Sequence, residues 1–140
     1  MEKIILDASV VIKWFIEEEG DEKALKYLYL IKERKIYLVV PQLFFYELGN
    51  ILLSKNSSIK DIRDIITELN NLPIEEENVG HLFFENVFQY AKEMKLTFYD
   101  ASYITLMQNK NCKFITADKK LYEKTKGKFS NIKLLQTSFN

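Results

Sequence analysis

Along this chain, short apolar runs alternate with longer stretches in which apolar residues return every three or four positions. Residues 3–6 form a run closed by Asp7, the length of a buried strand, and residues 8–18 continue with Val10, Val11, Trp14 and Phe15 at helical spacing. The helical period returns over residues 21–34 through Ala24, Leu25, Leu28 and Ile31, and a β-branched run over 35–40 follows. Pro41 suits the first turn of a helix over 41–55, which carries Phe44, Leu48, Ile51 and Leu52 on one side. Asn56-Ser57-Ser58 separates it from a helix over 59–70. A short strand at 72–76, helices over 79–94 and 100–109, a strand at 113–116, a helix from Asp118 and a strand at 132–135 complete the pattern. Such alternation predicts an α/β fold with a central, mostly parallel sheet of four to five strands, helices on both faces and right-handed crossovers. No repeat, low-complexity tract or linker breaks it, so residues 1–140 are expected to form one domain.

Composition narrows the class. The chain is 47% hydrophobic and 14% aromatic, with four glycines and two prolines, which argues against disorder. The first apolar run contains an acid and lacks a small-residue cleavage site, and no later segment approaches the ~18 apolar residues of a membrane span. The expected location is the cytoplasm. Cys112 and His81 are the single cysteine and single histidine, so neither an internal disulfide nor a Cys/His zinc site can be assembled. Any metal must be held by oxygen.

Net charge is zero and gives no support by itself to nucleic-acid binding. From Asn109 onward, however, eight lysines face only Asp118 and Glu123, a net of +6 that leaves −6 on the remainder. This tail is either a solvated helix face or a phosphate contact.

Four acids stand out by position. Asp7 and Asp118 follow predicted strands, where open α/β sheets keep their ligand crevice, although each also suits the N-cap of the next helix. Glu47 shares a helical face with Phe44, Leu48 and Ile51, and Asp100 with Tyr103, Ile104 and Met107. A carboxylate on a core-facing stripe costs several kcal/mol unless compensated. Asp100 also has an N-cap reading after Tyr99, and Glu47 also suits a place at the edge of its stripe from which it reaches solvent. Candidate compensators are a basic residue, protonation or a cation. The two arginines, Arg34 and Arg63, lie in polar stretches, which favours a cation. Carboxylate oxygens without His or Cys suit Mg2+ or Mn2+, one or two ions, and with them phosphodiester hydrolysis.

The segments LDASVVIKWF, VPQLFFYELGNIL, YDASYITLM and FITADKKLY closely resemble the PIN-domain ribonucleases, particularly the VapC toxins of toxin–antitoxin modules. The resemblance spans nearly the whole chain. It implies that Asp7, Glu47, Asp100 and Asp118 are the catalytic, metal-binding acids, with Ser9 and Thr116 as hydroxyls beside the site and Asn50 at its periphery. It further implies an RNA substrate, often transfer RNA, a homodimer, and silencing by a cognate VapB-type antitoxin. Ser9 and Thr116 equally suit helix-cap and loop roles.

Trp14, Phe15, Phe44 and Phe45 read as core or dimer contacts, His81 as a residue at a helix start, and Cys112 as a small core residue. The acids at 17–19 with Asp21 and Glu22 read as a solvated turn. Serine or cysteine nucleophile chemistry lacks a neighbouring base, the D-x-D of haloacid-dehalogenase-like phosphatases is broken by Ser9, and no nucleotide-cradling glycine motif occurs. Two alternatives stay open: a PIN-like domain that binds RNA or protein without cutting, and a housekeeping RNA-processing nuclease.

Overall fold

The structure, a computed structural model, describes residues 1–16 and 20–139. Five parallel strands form one sheet in the order β3-β2-β1-β4-β5, with β1 at Glu2–Leu6, β2 at Ile36–Pro41, β3 at Ile74–Glu77, β4 at Lys113–Thr116 and β5 at Ile132–Leu134. All five predicted strands are present. Ile4, Ile5 and Leu6 are buried in succession, as are Leu38, Val39 and Val40, and Phe114, Ile115 and Thr116. Burial without alternation requires cover on both faces of the sheet, the condition that a parallel sheet built from crossovers satisfies.

The helices are α1 at Ala8–Val11, α2 at Asp21–Lys32, α3 at Leu43–Ser54, α4 at Ile59–Asn70, α5 at Val79–Leu82, α6 at Phe84–Met94, α7 at Phe98–Lys110 and α8 at Lys119–Thr125. Several boundaries differ from the periodicity. The helix expected over 8–18 is one α-helical turn followed by a 3₁₀ turn at Ile12–Trp14, and its expected end at 17–18 lies outside the described residues, as do the acids at 17–19. Asp21 and Glu22 do not belong to a turn: they open α2, where acidic residues complement the helix dipole. Pro41 closes β2 rather than opening α3. It pairs with Glu77 beyond the point where β2 has left β1, so proline is tolerated there. The helix expected over 79–94 breaks at Phe83, whose φ of −125° is not helical. Residue 135 leaves β5 and begins a 3₁₀ turn.

The topology fixes where a site can form. From β1 the chain moves outward through β2 to β3, then crosses back to lay β4 on the other side of β1. The carboxyl ends of β1 and β4 are therefore the switch point at which such sheets open a crevice. Helix α3 leaves the end of β2 and so begins at that same edge. Helix α7 leads through Asn111 and Cys112 into the start of β4, which puts its own first turn there too. Asn111 makes the reversal at φ 48°, a left-handed conformation that asparagine tolerates.

The β3 edge of the sheet is protected by charge. Edge strand β3 reads Ile-Glu-Glu-Glu, and Lys3 and Lys110 pair with Glu75 and Glu77 across it. Charged side chains along an edge discourage pairing with another sheet. Lys126 and Lys128 are also in ion pairs, with Glu123 and Glu93, so part of the basic tail is spent on structure.

Leu38, fully buried at the centre of β2, tests this packing. Leu38→Ala is expected to lower stability by about 2–5 kcal/mol, read from the urea midpoint at unchanged slope.

Candidate active site

Asp7 is the best-anchored of the four acids. Its Oδ1 accepts hydrogen bonds from the backbone N–H of Ser9 (3.1 Å) and from the Ser9 hydroxyl, and its Oδ2 accepts from the Thr116 hydroxyl. The two hydroxyls are held in turn. Ser9 Oγ accepts from Ala117 N–H and Thr116 Oγ1 from Asp118 N–H, both at 3.1 Å. Leu6 and Ile115 pair in register, so the ends of β1 and β4 lie side by side and Asp7 bridges them. The capping explanation of Asp7 is thus correct and incomplete: the same carboxylate caps α1 and lines a cleft. Asp118 likewise caps α8, accepting from Lys120 and Leu121 N–H at 3.0 and 3.2 Å.

Asp100 is not an N-cap. Thr97 takes that place, its hydroxyl accepting from Asp100 N–H at 3.1 Å, so that Asp100 falls in the first turn of α7. Glu47 sits half-buried on α3, between the buried Phe44 and Leu48 and the cleft. Its Oε1 accepts a 2.7 Å hydrogen bond from the hydroxyl of Tyr103.

All four acids line one cleft of about 480 Å³, together with Ser9, Asn50 and Tyr103. Tyr46 and Tyr99 form its lips and are 74% and 63% exposed. Among the described residues, no lysine or arginine lines it. Arg34 and Arg63 stay exposed at a distance in the fold, one after α2 and the other on α4. The electrostatic outcome follows. Burial pushes Asp7 up to about 6 against the help of Ser9 and Thr116, with Asp100 adding repulsion. Burial likewise pushes Glu47 up to about 7, opposed by Tyr103 and reinforced by Asp7 and Asp100. Asp100 is raised by burial and then by Asp118, and only Lys124 offers it cationic relief.

The donor set is wholly oxygen, carries up to four negative charges and lacks a cation of its own, which fits a hard divalent ion. As placed, no three acids among the described residues close on one point tightly enough to hold an ion unaided.

The model of the PIN domain matches residues 4–127. The chain belongs to the PIN domain family. No curated protein matches it in sequence. Among solved structures it is similar to PAE2754 from Pyrobaculum aerophilum, at 25% identity and a TM-score of 0.66, over 97% of this chain and 92% of that one. A toxin–antitoxin complex from Klebsiella pneumoniae shares the fold at 14% identity and a TM-score of 0.66, over 94% and 97% of the two chains. So does VapC20 of Mycobacterium tuberculosis, a sarcin-ricin loop cleaving toxin, at 16% identity and a TM-score of 0.66, over 87% and 95%.

Within this PIN domain the remaining candidates separate clearly. Ser9 and Thr116 join the Asp7 network, whereas Asn50 is exposed at the cleft wall. Trp14, Phe15 and Phe45 pack partly buried against the core and Phe44 lies wholly within it. Cys112 is buried, and His81 is exposed on the short helix α5, away from the cleft lining. Tyr103 is the residue that sequence reasoning missed. Its helical spacing puts it on the stripe of Asp100, and nothing in that spacing pairs its hydroxyl with Glu47. The signal was a buried phenol one turn from an acid, since a buried Tyr hydroxyl requires a polar partner.

A carboxyl whose folded pKa is raised stabilises the fold only while protonated, so its contribution is lost as pH rises through the folded value. For the ion-free PIN domain that loss runs from the ordinary value of 3.8 to about 6 for Asp7 and from 4.5 to about 7 for Glu47. With chelator present, the melting temperature should fall between about pH 4 and about pH 7, Asp7 alone accounting for roughly 2–3 kcal/mol. Asp7→Asn should flatten this dependence; an equally steep fall in that variant would contradict the assignment.

Proposed function

We propose that this PIN domain is a divalent-metal-dependent endoribonuclease, the VapC-type toxin of a toxin–antitoxin module. The observation that carries the reading is the cleft itself: four carboxylates from the end of β1, α3, α7 and the β4–α8 junction line it without a lining cation. Such an arrangement is costly in a resting protein and suits one whose purpose is to attract Mg2+ or Mn2+.

Asp7, Glu47, Asp100 and Asp118 would hold one or two ions, with Ser9 and Thr116 fixing the direction of Asp7. Bound there, the ion supplies Lewis-acid polarisation of a phosphoryl oxygen, a nucleophile from water near neutral pH and, with a second ion, charge stabilisation at the leaving oxygen. The chain's own groups do the positioning. Both oxygens of Asp7 already accept hydrogen bonds on the protein side, so the cleft side offers lone pairs of fixed direction. Lys119 and Lys120, exposed immediately after Asp118, lie where an RNA backbone would pass. The lip tyrosines Tyr46 and Tyr99 offer faces for unstacked bases.

The toxin assignment draws on the architecture shared with VapC20, a sarcin-ricin loop cleaving toxin, and with the Klebsiella toxin–antitoxin complex. A VapB-type antitoxin and a second copy of the chain are the proposed partners. Exposed apolar side chains at Leu53, Ile59, Leu82, Phe84 and Phe88 supply surface for them. No described helix is long and apolar enough to cross a membrane, and the proposed compartment is the cytoplasm.

Asp7→Asn and Asp100→Asn each remove a ligand charge while keeping bulk. Either should lower Mg2+- or Mn2+-dependent cleavage of a cellular RNA pool by at least about a hundredfold with the fold intact. Sequencing the cleaved ends against the Asp7→Asn control reads the site directly. Undiminished cleavage by a variant, or full activity in excess chelator, would refute the mechanism.

A further inference from the structure

Glu47 differs from the other three acids in what holds it. Asp7 is bound by backbone and two hydroxyls, Asp118 by two backbone N–H groups, and Asp100 stands in the first turn of α7. Glu47 has a longer side chain on α3, and its one hydrogen bond among the described residues is the 2.7 Å contact from Tyr103 Oη to Oε1. Tyr103 is in turn fixed. It is 1% exposed, and its ring stacks on Phe114 of β4 at 5.2 Å between centroids and 8° between planes. The ring is therefore packed directly against β4.

Resting on the reading of the cleft as a divalent-ion site, we propose that Tyr103 is the positioning residue for Glu47. It engages Oε1 so that Oε2 alone is presented to the ion, in one orientation set by the Phe114 stack. Three χ angles separate the Glu47 carboxylate from its backbone, and a carboxylate left free to rotate would offer either oxygen, or both, at a different depth in the cleft. The Tyr103 hydroxyl removes that freedom before the ion arrives, as outer partners of metal ligands commonly do. Tyr103 itself touches neither ion nor substrate in this scheme.

The test is Mn2+ affinity by titration calorimetry on the full chain, for wild type, Tyr103→Phe, Glu47→Gln and the double variant. Phenylalanine keeps the ring and its stack on Phe114 and removes only the hydroxyl. Tyr103→Phe should weaken Mn2+ binding by about 10- to 100-fold. In the Glu47→Gln background the same change should have a smaller effect, because the amide that still accepts this hydrogen bond is a much weaker ion ligand than the carboxylate. Circular dichroism and ion-free melting should show both single variants folded.

Unchanged affinity in a folded Tyr103→Phe variant would overturn the positioning role while leaving the ion site standing. An equal loss in both backgrounds would also overturn it, since Tyr103 would then be acting on the fold rather than through Glu47. Failure of the wild-type chain to take up Mn2+ would instead sink the ion reading and this role together.

Discussion

The bridge that Asp7 makes between the ends of β1 and β4 is the constraint on which the site depends. A carboxylate in that place has lost most of its hydration, and three donors from two separate strands and their exits replace it. Ser9 and Thr116 are effective because each is itself pinned by a backbone N–H of the β4–α8 junction. The same hydrogen bonds that make burial of Asp7 tolerable also fix where Asp118 enters the cleft. Capping and cleft lining are inseparable here, since one placement of each of these two acids does both.

The second wall is built on other physics. Glu47 and Asp100 come from helices that reach the carboxyl edge of the sheet from opposite chain directions, α3 running away from it and α7 beginning at it. Their carboxylates are neither in the core nor in bulk water, and burial raises both, reinforced by Asp7 and Asp100 at Glu47 and by Asp118 at Asp100. The fold thus stores an electrostatic cost at one point and covers it with hydrophobic packing elsewhere, a pattern expected of sites that must bind charge.

Much of this was legible in the sequence because two periods are hard to confuse. The five strand runs stood between helical stretches, and the parallel α/β architecture followed from their alternation. Asp7 and Asp118 were legible as acids after strands, and Glu47 and Asp100 as acids on apolar stripes. Illegible features depended on contacts between distant segments. The hydroxyl of Tyr103 meets Glu47 across 56 positions, and no local rule pairs them. The break at Phe83 leaves an apolar pattern on both sides, so periodicity ran through it. The N-cap of α7 was misplaced because Thr97 and Asp100 are both good caps three residues apart, and only the geometry shows which one accepts from the other.

The strand order has a consequence for the timing of synthesis. β1 can pair with β2 as soon as residue 41 is available, but its other edge waits for β4, and the Thr116 hydroxyl that reaches Asp7 lies 109 positions later. Until then Asp7 lacks its second holder and Asp118 is not beside it. A partly made chain, still attached to the ribosome and surrounded by RNA, therefore has no assembled cleft. The order of the strands delays the four-acid cleft until most of the chain has emerged.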